Sequence, residues 1–524
     1  MNRYILMTGA TGLLGQYLVR DLLLRGHRFA LVVRPGRKES IQDRLETILQ
    51  MWERQCGQML PRPVCIEGDV SAEKLGLSSD SRAWIAHNCD RILHNAAVLV
   101  FFGEDRNGEP WRTNFQGTQN VLDVCRETGI EEMHYVSTAY VCGTRTGLIM
   151  EDDFEEPADF RNDYEKSKYE SERLVRETDV IKKLTVYRPG VIVGDSKTGY
   201  TATYHGLGMY LKLMSVMIGN LQPDENGVRH TPLYLPCTGD EPRNTIPVDW
   251  VSAVMARLFN NPETHGGTYH ITPDEPFTAR QLIESCEDYF NATGTVFNSS
   301  DIGLNDFDKL SHEHLSIYHA YLTTDPEFDT SNLKKFVPDL PNPKIDREMI
   351  HRCLRYGEQD RWGKRRKKRS EPTFWVRDLL SLSVVDGITA KPCDESASRD
   401  ANCFGLDVWG VGGGQFCLQM IGDSLLRVTE GLPADGSPIL QMSIFDLGRR
   451  LGIDMSALKD FSAVKFENAP RTHSDEELCR KFIGALTAIE GFQNLFNGPR
   501  VANATDASVE QRGDSLPIVE VTVD

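Results

Sequence analysis

"YILMTGATGLLGQYLVRDLLLRG" (residues 4–26) joins a short apolar run, three glycines spaced three residues apart and a second apolar run. The first run predicts a strand, and Leu14, Leu18 and Leu22 repeat with the period of a helix. A glycine-rich turn between a strand and a helix lets a pyrophosphate approach the backbone, where the helix N-terminus offers free N–H groups. The stretch therefore predicts a dinucleotide-binding unit, although a plain tight turn would use the same glycines.

Strand-like and helical stretches continue to alternate after this unit. A helix is predicted from about Thr113, between the last two of the later strands. Such alternation is typical of an α/β fold, so we predict a doubly wound parallel sheet of the Rossmann type. The later strands are predicted in "RFALVVR" (28–34), "VCIEGDV" (64–70), "RILHNAAVLV" (91–100) and "EMHYVSTAYVCG" (132–143).

Composition limits the classes of partner. The chain has 524 residues, 40% of them hydrophobic and 26% charged, and a formal net charge of −18, which argues against nucleic acid as a partner. Its cysteines form no CxxC pair or Cys/His cluster, so we expect reduced thiols and no metal site. No targeting segment is recognisable, and the longest apolar run (206–221) is too short to span a bilayer. We expect a cytoplasmic protein; peripheral membrane contact and homo-oligomer formation stay open.

The end of the second predicted strand bears on the choice of cofactor. Arg34 closes this strand and Arg37 and Lys38 follow it, whereas NAD-preferring enzymes usually place a carboxylate there. A 2′-phosphate favours arginine, so the sequence favours NADPH over NADH; the alternative is a solvated basic loop. Asp69 is a candidate acceptor for the adenine amino group, or a cap for its own loop.

A second motif supplies candidate chemistry. In "NDYEKSKYESERL" (162–174), Tyr164 precedes Lys168 by four residues, so both side chains lie on one face of a predicted helix. We expect the lysine ammonium to lower the pKa of the phenol, which would then protonate an oxygen that gains charge as hydride arrives. An isolated pair of this kind would more simply belong to a solvated helix face.

These motifs occur in a fixed order, and together they resemble the extended short-chain dehydrogenase/reductase family over about residues 1–355. Within that family the chain is most similar to the thioester-reductase and fatty acyl-CoA reductase ("male sterility") branch. The segments that carry the resemblance are "TGATGLLG", "HNAAVLVFF", "TNFQGTQNVL", "HYVSTAYVCG", "DYEKSKYESE", "YRPGVIVGD" and "NTIPVDWVSAV".

The resemblance implies roles for individual residues. Tyr164 is the expected proton donor, Lys168 also binds the nicotinamide ribose, and Asn114 helps to order the proton path. Thr138 matches the hydroxyl placed against the substrate oxygen, and Ser137 is the alternative because only one of two neighbours in a strand faces the site. The implied cofactor-binding residues are Gly9, Thr11, Gly12, Leu13, Leu14, Gly15, Arg34, Lys38, Asp69, Val70, Asn95, Ala96, Ala97, Lys168, Tyr187, Pro189 and Val191.

The resemblance also suggests a substrate class. We expect hydride transfer from NADPH to an acyl thioester, carried by CoA or a carrier protein, or to a lipid-like carbonyl, giving an aldehyde or an alcohol. A dehydrogenase or epimerase of a sterol or sugar-nucleotide alcohol is the first alternative. Related dehydratases follow the catalytic threonine with an acid, where this chain has Ala139. A non-catalytic NADP-binding redox sensor is the second alternative, against which the Tyr164/Lys168 pair speaks.

The second half of the chain carries no recognisable catalytic motif. Its strand pair across Gly422–Asp423, its helix ending near Gly452 and its capping box from Ser474 to Glu477 predict an α+β domain of unknown role. Packing or dimerisation is one role for it, and lipid binding, by a short similarity to sterol-carrier-type domains, is another. We predict an extended reductase domain at 1–360 (cofactor part mainly 1–195 and 243–272, substrate part mainly 196–242 and 273–355), a basic linker at 361–372, the α+β domain at 373–500 and a mobile tail at 501–524.

Overall fold

The structure is a computed structural model. It describes the chain from residue 3 to 488 with several gaps, and every structural statement below concerns these residues. They are residues 3–36, 39–299, 303, 305–315, 325–365, 369–384, 388–389, 402–422, 424–434, 436–461, 464–466 and 476–488.

Helices and strands alternate along the first 290 residues. The strands are β1 (Tyr4–Thr8), β2 (Arg28–Val33), β3 (Val64–Glu67), β4 (Cys89–His94), β5 (Glu132–Val136), β6 (Leu148–Ile149), β7 (Lys183–Pro189), β8 (Val191–Val193), β9 (Arg229–His230), β10 (Pro242–Arg243), β11 (Thr245–Pro247), β12 (Thr268–Ile271), β13 (Phe277–Thr278), β14 (Ala292–Thr293), β15 (Glu327–Phe328), β16 (Ile388–Thr389), β17 (Asn402–Trp409), β18 (Gly414–Ile421), β19 (Ser424–Glu430) and β20 (Ile439–Ser443). The α-helices are α1 (Leu13–Leu23), α2 (Ile41–Cys56), α3 (Ser79–Asn88), α4 (Gly117–Thr128), α5 (Asp163–Glu177), α6 (Leu207–Gly219), α7 (Val248–Asn260), α8 (Ala279–Phe290), α9 (Asp306–Leu315), α10 (Ser331–Phe336), α11 (Arg347–Gln359), α12 (Val376–Ser381), α13 (Ile444–Leu451) and α14 (Glu476–Thr487).

Seven strands form one parallel sheet in the order β12-β7-β5-β4-β1-β2-β3. The strand order reverses at β1, so the chain winds outward in both directions and covers both faces with helices. One apolar cluster packs α1, α2 and α7 on one face, and another packs α3, α4 and α5 on the other. The predicted doubly wound α/β sheet is confirmed. Its carboxyl ends meet at one edge, where ligands bind in such sheets.

A smaller layer lies beside that edge. Helices α6, α8 and α11 share an apolar cluster that includes Leu211, Ile283 and Leu354. After residue 266 the chain forms β12, a turn and α8, and α8 begins with a capping box between Thr278 and Gln281. This layer forms the outer wall of the cavity described below.

The described residues beyond 375 include a five-stranded mixed sheet in the order β16-β19-β18-β17-β20, with α12, α13 and α14 packed on it. As predicted, β18 and β19 pair antiparallel, and α13 ends before Gly452, whose φ is +71°. Glycine reaches this left-handed conformation without the steric cost of a side chain. Three predicted features lie outside the described residues: the cap Ser474, residues 366–368 of the basic linker and the tail at 501–524.

This second sheet contacts the first one directly. The buried Tyr4 hydroxyl donates to Gln415 Oε1 at 2.8 Å and accepts from the Leu432 N–H at 2.8 Å. On the neighbouring helix, Trp84 Nε1 donates to the Glu430 carbonyl at 2.7 Å. The two sheets therefore share buried polar contacts, whereas the boundaries at 360, 373 and 500 stay predictions.

No helix in the described part of the chain combines the length and apolar character that a bilayer crossing needs. No disulfide bond joins the cysteines of the described residues.

Candidate active site

The glycine turn between β1 and α1 is closely packed. Gly9 has φ +73°, and a Cβ on it would lie 2.6 Å from the Ala96 nitrogen. A Cβ on Gly15 would lie 2.0 Å from the Gly9 carbonyl oxygen, so Gly15 allows α1 to pack on the turn. Gly12 precedes α1 without a side-chain cap, and the first turn of α1 carries no acid. The N–H groups of the turn and of the helix N-terminus can therefore donate hydrogen bonds to phosphate oxygens.

A cavity of about 290 Å³ opens over this turn. Its walls come from the β1–α1 turn, the end of β2 and the segment after β4, which are the carboxyl ends of neighbouring strands. The predicted cofactor residues that line it are Gly9, Thr11, Gly12, Leu13, Leu14, Arg34, Val70, Asn95, Ala96 and Ala97. The backbone N–H groups and the arginine side chains of this cavity provide the donors that the phosphates of a dinucleotide need.

Two arginines stand at one end of the cavity. Arg34 is exposed, and Arg44, on the first turn of α2, is half-buried. The Arg44 guanidinium donates to the Arg34 carbonyl through Nη1 and contacts Thr11 Oγ1 at 3.4 Å through Nη2. Lys38 lies outside the described residues. Sequence reasoning missed Arg44, although Ser40, which caps α2, marks where that helix begins.

Three predicted cofactor residues do not line this cavity or the larger one described next. Asp69 Oδ1 accepts from the Ser71 N–H and hydroxyl at 2.9 and 2.8 Å, and Oδ2 lies 3.7 Å from Arg34 Nη1, so Asp69 caps its own loop and its contact with adenine stays a prediction. Tyr187 lies two residues before the end of β7, fully buried within the sheet, with its hydroxyl 2.9 Å from His134 Nδ1. Gly15 acts through packing, as described above.

A second cavity of about 870 Å³ adjoins the first and shares Gly12, Arg34, Asn95 and Ala97 with it. Predicted residues Lys168, Pro189 and Val191 line this second cavity. Its remaining wall is largely apolar. The apolar residues are Leu99, Val100, Phe101, Ile192, Val193, Leu207, Leu211, Leu235, Phe277, Leu282 and Ile283.

Tyr164 and Thr138 line the second cavity, which also contains Lys168 and the shared residues Asn95 and Ala97. The Thr138 hydroxyl is near enough to the Tyr164 phenol to lower the pKa of that phenol, and Thr138 Oγ1 donates to the Pro189 carbonyl at 3.4 Å. Tyr164 stands on the first turn of α5, which Asn162 caps by accepting from the Glu165 N–H at 3.0 Å. The structure thus brings the predicted phenol and the predicted threonine together in the wall of the second cavity.

Lys168 lies one turn further along α5 and is buried. Its ammonium donates to the Tyr135 hydroxyl at 2.9 Å and to the Val136 carbonyl at 2.8 Å. Burial lowers the pKa of Lys168 to about 7, against the opposing charge of Glu172. Tyr135 was not recognised from the sequence as a partner of this lysine.

The pKa of Tyr164 differs from the sequence-based expectation. Burial, followed by the charge of Glu165, raises the pKa of this phenol to about 12, and the nearby Thr138 hydroxyl only partly offsets the rise. The expectation that Lys168 lowers it is not met by the protein alone, because the ammonium is bound to Tyr135 and Val136 and loses charge through burial. Lys168 can therefore aid proton donation only if its own charge or its bonds to Tyr135 and Val136 change.

The structure distinguishes the two candidate hydroxyls after β5. Ser137 donates to Glu172 Oε2 at 2.5 Å, and Glu172 is a fully buried carboxylate held by Arg188 at 2.6 Å and Arg176 at 2.7 Å. The Ser137 hydroxyl is therefore engaged in a buried ionic network. Thr138 contacts Tyr164, so the threonine is the better candidate for the substrate oxygen.

Asn114 lies in a π-helical turn that leads into α4 and lines neither cavity. Its amide accepts from the Val98 N–H at 2.9 Å and donates to the Val98 carbonyl at 3.1 Å and to Ser167 Oγ at 3.0 Å. It ties the segment after β4 to α5. These contacts are those of a positioning residue, and its part in ordering the proton path stays a prediction.

Three comparisons with known proteins extend these observations. Residues 7–255 match the family model described as male sterility protein. Residues 7–255 belong to this family, a branch of the extended short-chain dehydrogenases/reductases. Proteins of this family are NAD(P)-dependent oxidoreductases, and the glycine-walled cavity of this chain suits the phosphates of a nicotinamide cofactor.

Among curated proteins, the aldehyde reductase lnaA of Aspergillus flavus is 26% identical over 397 residues, which are 67% of this chain and 36% of that protein. The nonribosomal peptide synthetase asaC of the same species is 28% identical over 52% of this chain and 26% of its own length. This chain thus spans about a third or less of these relatives. Among solved structures, the terminal R domain of the myxalamid PKS-NRPS pathway superposes with a TM-score of 0.57 at 25% identity, over 69% of this chain and 92% of that chain.

Proposed function

We propose that the protein is an NADPH-dependent reductase that acts on an acyl thioester carried by CoA or by a carrier protein, and releases an aldehyde or an alcohol. The observation that carries the proposal is the Tyr164–Thr138 pair in the wall of a large apolar cavity that adjoins a glycine-walled one. The similarity to lnaA and asaC supports the reductase class and the carrier-bound substrate.

The residues present fit a dinucleotide. The glycine turn would hold the pyrophosphate, Arg34 and Arg44 a 2′-phosphate, and Lys168 the nicotinamide ribose. Reduced nicotinamide, when bound, supplies hydride.

The chain's own residues manage the proton. Thr138 orients the substrate oxygen, and Tyr164 donates its phenolic proton to that oxygen as negative charge develops there. With a thioester, the product of this step is a hemithioacetal, whose C–S bond breaks to release the thiol and leave an aldehyde. Because burial disfavours the phenolate, the proton stays on Tyr164 until the oxygen gains charge.

The large cavity supports an acyl substrate. Its volume of about 870 Å³ lies in the range of cavities that bury small-molecule ligands, and its apolar wall suits an alkyl chain. Polar groups are placed at its edge: Asp325 accepts from the Tyr140 hydroxyl at 2.7 Å, and both side chains line the cavity. Neither was recognised as a site residue from the sequence.

The direct test follows NADPH oxidation with purified protein and a panel of acyl-CoA thioesters, long-chain aldehydes, ketosteroids and nucleotide sugars. Tyr164→Phe should lower turnover by about 100-fold or more while NADPH binding, measured by fluorescence, is kept. Tyr169→Phe is the matched control, because Tyr169 lies on the same helix and lines neither cavity. Unchanged turnover in Tyr164→Phe would remove this phenol from the mechanism, and turnover of sterols or sugars but not of thioesters would refute the substrate class.

A further inference from the structure

Three potential metal ligands converge on the side of the seven-stranded sheet away from the cavities, towards the amino-terminal ends of its strands. Glu132 and His134 are two residues apart on β5 and so share a face of the strand, and His265 lies in the loop before β12. One ligand atom from each residue lies within 4.8 Å of the others. The side chains of His134 and His265 are 0% and 3% exposed, and that of Glu132 is 20% exposed.

The hydrogen bonds around His265 leave an unbalanced contact. His265 Nε2 lies 3.0 Å from the Phe259 carbonyl oxygen, which can only accept, so Nε2 carries a proton. In a neutral ring, Nδ1 then presents a lone pair, and it lies 2.8 Å from Glu132 Oε1, another acceptor. Two acceptors at this distance repel each other unless a proton or a metal cation lies between them.

The contact with His134 favours the metal cation. His134 Nε2 lies 3.4 Å from the same carboxylate oxygen, yet neither atom has a partner in hydrogen-bond geometry within the described residues. The other ring nitrogen, Nδ1, lies 2.9 Å from the Tyr187 hydroxyl, an outer contact of the kind that orients metal-bound imidazoles.

The spacing is also that of a metal site. Ligands about 2.0–2.1 Å from a tetrahedral zinc ion lie about 3.3 Å from one another, and the two recorded contacts, 2.8 and 3.4 Å, bracket this distance. Arg91 lies 3.6 Å from Glu132 Oε1 and is the competing cation, although its side chain is 29% exposed. Two imidazoles with one carboxylate suit zinc, cobalt or nickel, whereas magnesium and calcium prefer oxygen ligands alone.

We propose that Glu132, His134 and His265 bind one divalent transition-metal ion, Zn²⁺ in the first instance, with a water as the fourth ligand. The ion would tie β5 to the loop that leads into the edge strand β12, and so stabilise that side of the sheet. The carboxyl ends of the strands, where the cavities open, are at the other edge, so the site is structural. It does not depend on the function proposed above.

The test uses the full chain with any purification tag removed, stripped with a chelator and then dialysed against Zn²⁺ or Co²⁺. We expect one tightly held equivalent of Zn²⁺ per chain by elemental analysis, a higher melting temperature with Zn²⁺, and the intense visible absorption of tetrahedral Co²⁺. His265→Gln should abolish all three. The matched control is His230→Gln, because His230 forms an exposed pair with Asp224 at 3.0 Å and should leave them unchanged.

Equal metal content in the stripped-and-reloaded protein and in His265→Gln would overturn the proposal. So would the weak spectrum of octahedral Co²⁺ in the unmodified protein, a result that needs no variant and therefore holds even if His265→Gln fails to fold. Failure to retain any metal would show that only a proton bridges His265 and Glu132, and would equally refute the site.

Discussion

Replacing Arg44 by methionine tests the cofactor preference most directly. Methionine keeps much of the length of the side chain and removes its charge. Arg44 lines the smaller cavity beside Arg34, where a 2′-phosphate would lie if the cofactor is NADPH. A hydrogen bond to a charged group contributes about 1.5–3 kcal/mol, and the half-buried setting of Arg44 places it in the lower part of this range. A loss of about 1.5–2 kcal/mol corresponds to roughly 10- to 30-fold in affinity.

The expected result is therefore a rise of roughly 10- to 30-fold in the dissociation constant of NADPH, with that of NADH changed by less than about threefold. Both constants would be measured by fluorescence titration of the same preparation, at one fixed salt concentration because the contact is ionic. Arg126→Met is the matched control, since Arg126 is an exposed arginine on α4 and lines neither cavity.

Arg44 also touches the protein itself, and this gives the refuting outcome. Its guanidinium contacts Thr11 Oγ1 and the Arg34 carbonyl, so its loss could simply disturb the glycine turn. In that case the affinities for NADPH and NADH would fall by the same factor, and the assignment of a 2′-phosphate to this end of the cavity would be wrong. Tighter binding of NADH than of NADPH by the unmodified protein would refute it as well.

Three further predictions follow from buried contacts. Thr138→Val should lower kcat by about tenfold or more, measured by steady-state kinetics. Ser137→Ala should leave kcat within a few-fold but lower the free energy of unfolding by about 1–3 kcal/mol in urea, because Glu172 loses a donor. A larger loss of kcat in Ser137→Ala than in Thr138→Val would show that Ser137 faces the substrate. Burial lowers the pKa of Lys168 from 10.5 to about 7, so between these pH values the unfolded chain binds one more proton than the folded chain. This residue therefore makes the free energy of unfolding rise with pH in that range, and Lys168→Met should reduce the slope by up to about 1.4 kcal/mol per pH unit. An unchanged slope in urea unfolding at several pH values would contradict the lowered pKa. Tyr4→Phe removes two buried hydrogen bonds to the second sheet and should lower the free energy of unfolding by about 1–3 kcal/mol with NADPH turnover unchanged, and a loss of turnover at full stability would contradict a purely structural contact.

The fold was predictable because its signals are local. The glycine turn, the alternating strands and helices and the Tyr164/Lys168 spacing each lie within a short window of sequence, where periodicity and turn chemistry act. The structure places Tyr164 and Thr138 together although 26 residues separate them, because both stand at carboxyl ends of the sheet or beside them. That part of the site follows from topology alone.

What the sequence could not predict depends on depth and on distant contacts. Strand β7 reaches the site at its carboxyl end. Tyr187 lies two residues before that end, where its side chain is already buried inside the sheet. Glu132 and His265 are brought together by the crossover from α7 to β12, and no spacing rule for local metal motifs covers a separation of that length. The direction of the Tyr164 pKa shift also depends on burial, which the spacing to Lys168 does not show.

The contacts between the two sheets decide how the second half of the chain should be tested. Deleting everything after the basic linker would expose three residues that are buried against the second half of the chain. Tyr4 contacts Gln415, Trp84 contacts the Glu430 carbonyl, and Met59 packs in one apolar cluster with Trp409. Lost activity in such a deletion would therefore report exposure of an apolar surface on the reductase domain as readily as a missing function. The Arg369 guanidinium, 2.7 Å from Asp43 on the first turn of α2, gives a narrower probe, because Arg44 is the next residue. Arg369→Met leaves the second sheet in place. If the ion pair with Asp43 positions Arg44, this variant should weaken NADPH binding more than NADH binding. Equal loss of affinity for both cofactors would assign the contact to stability alone.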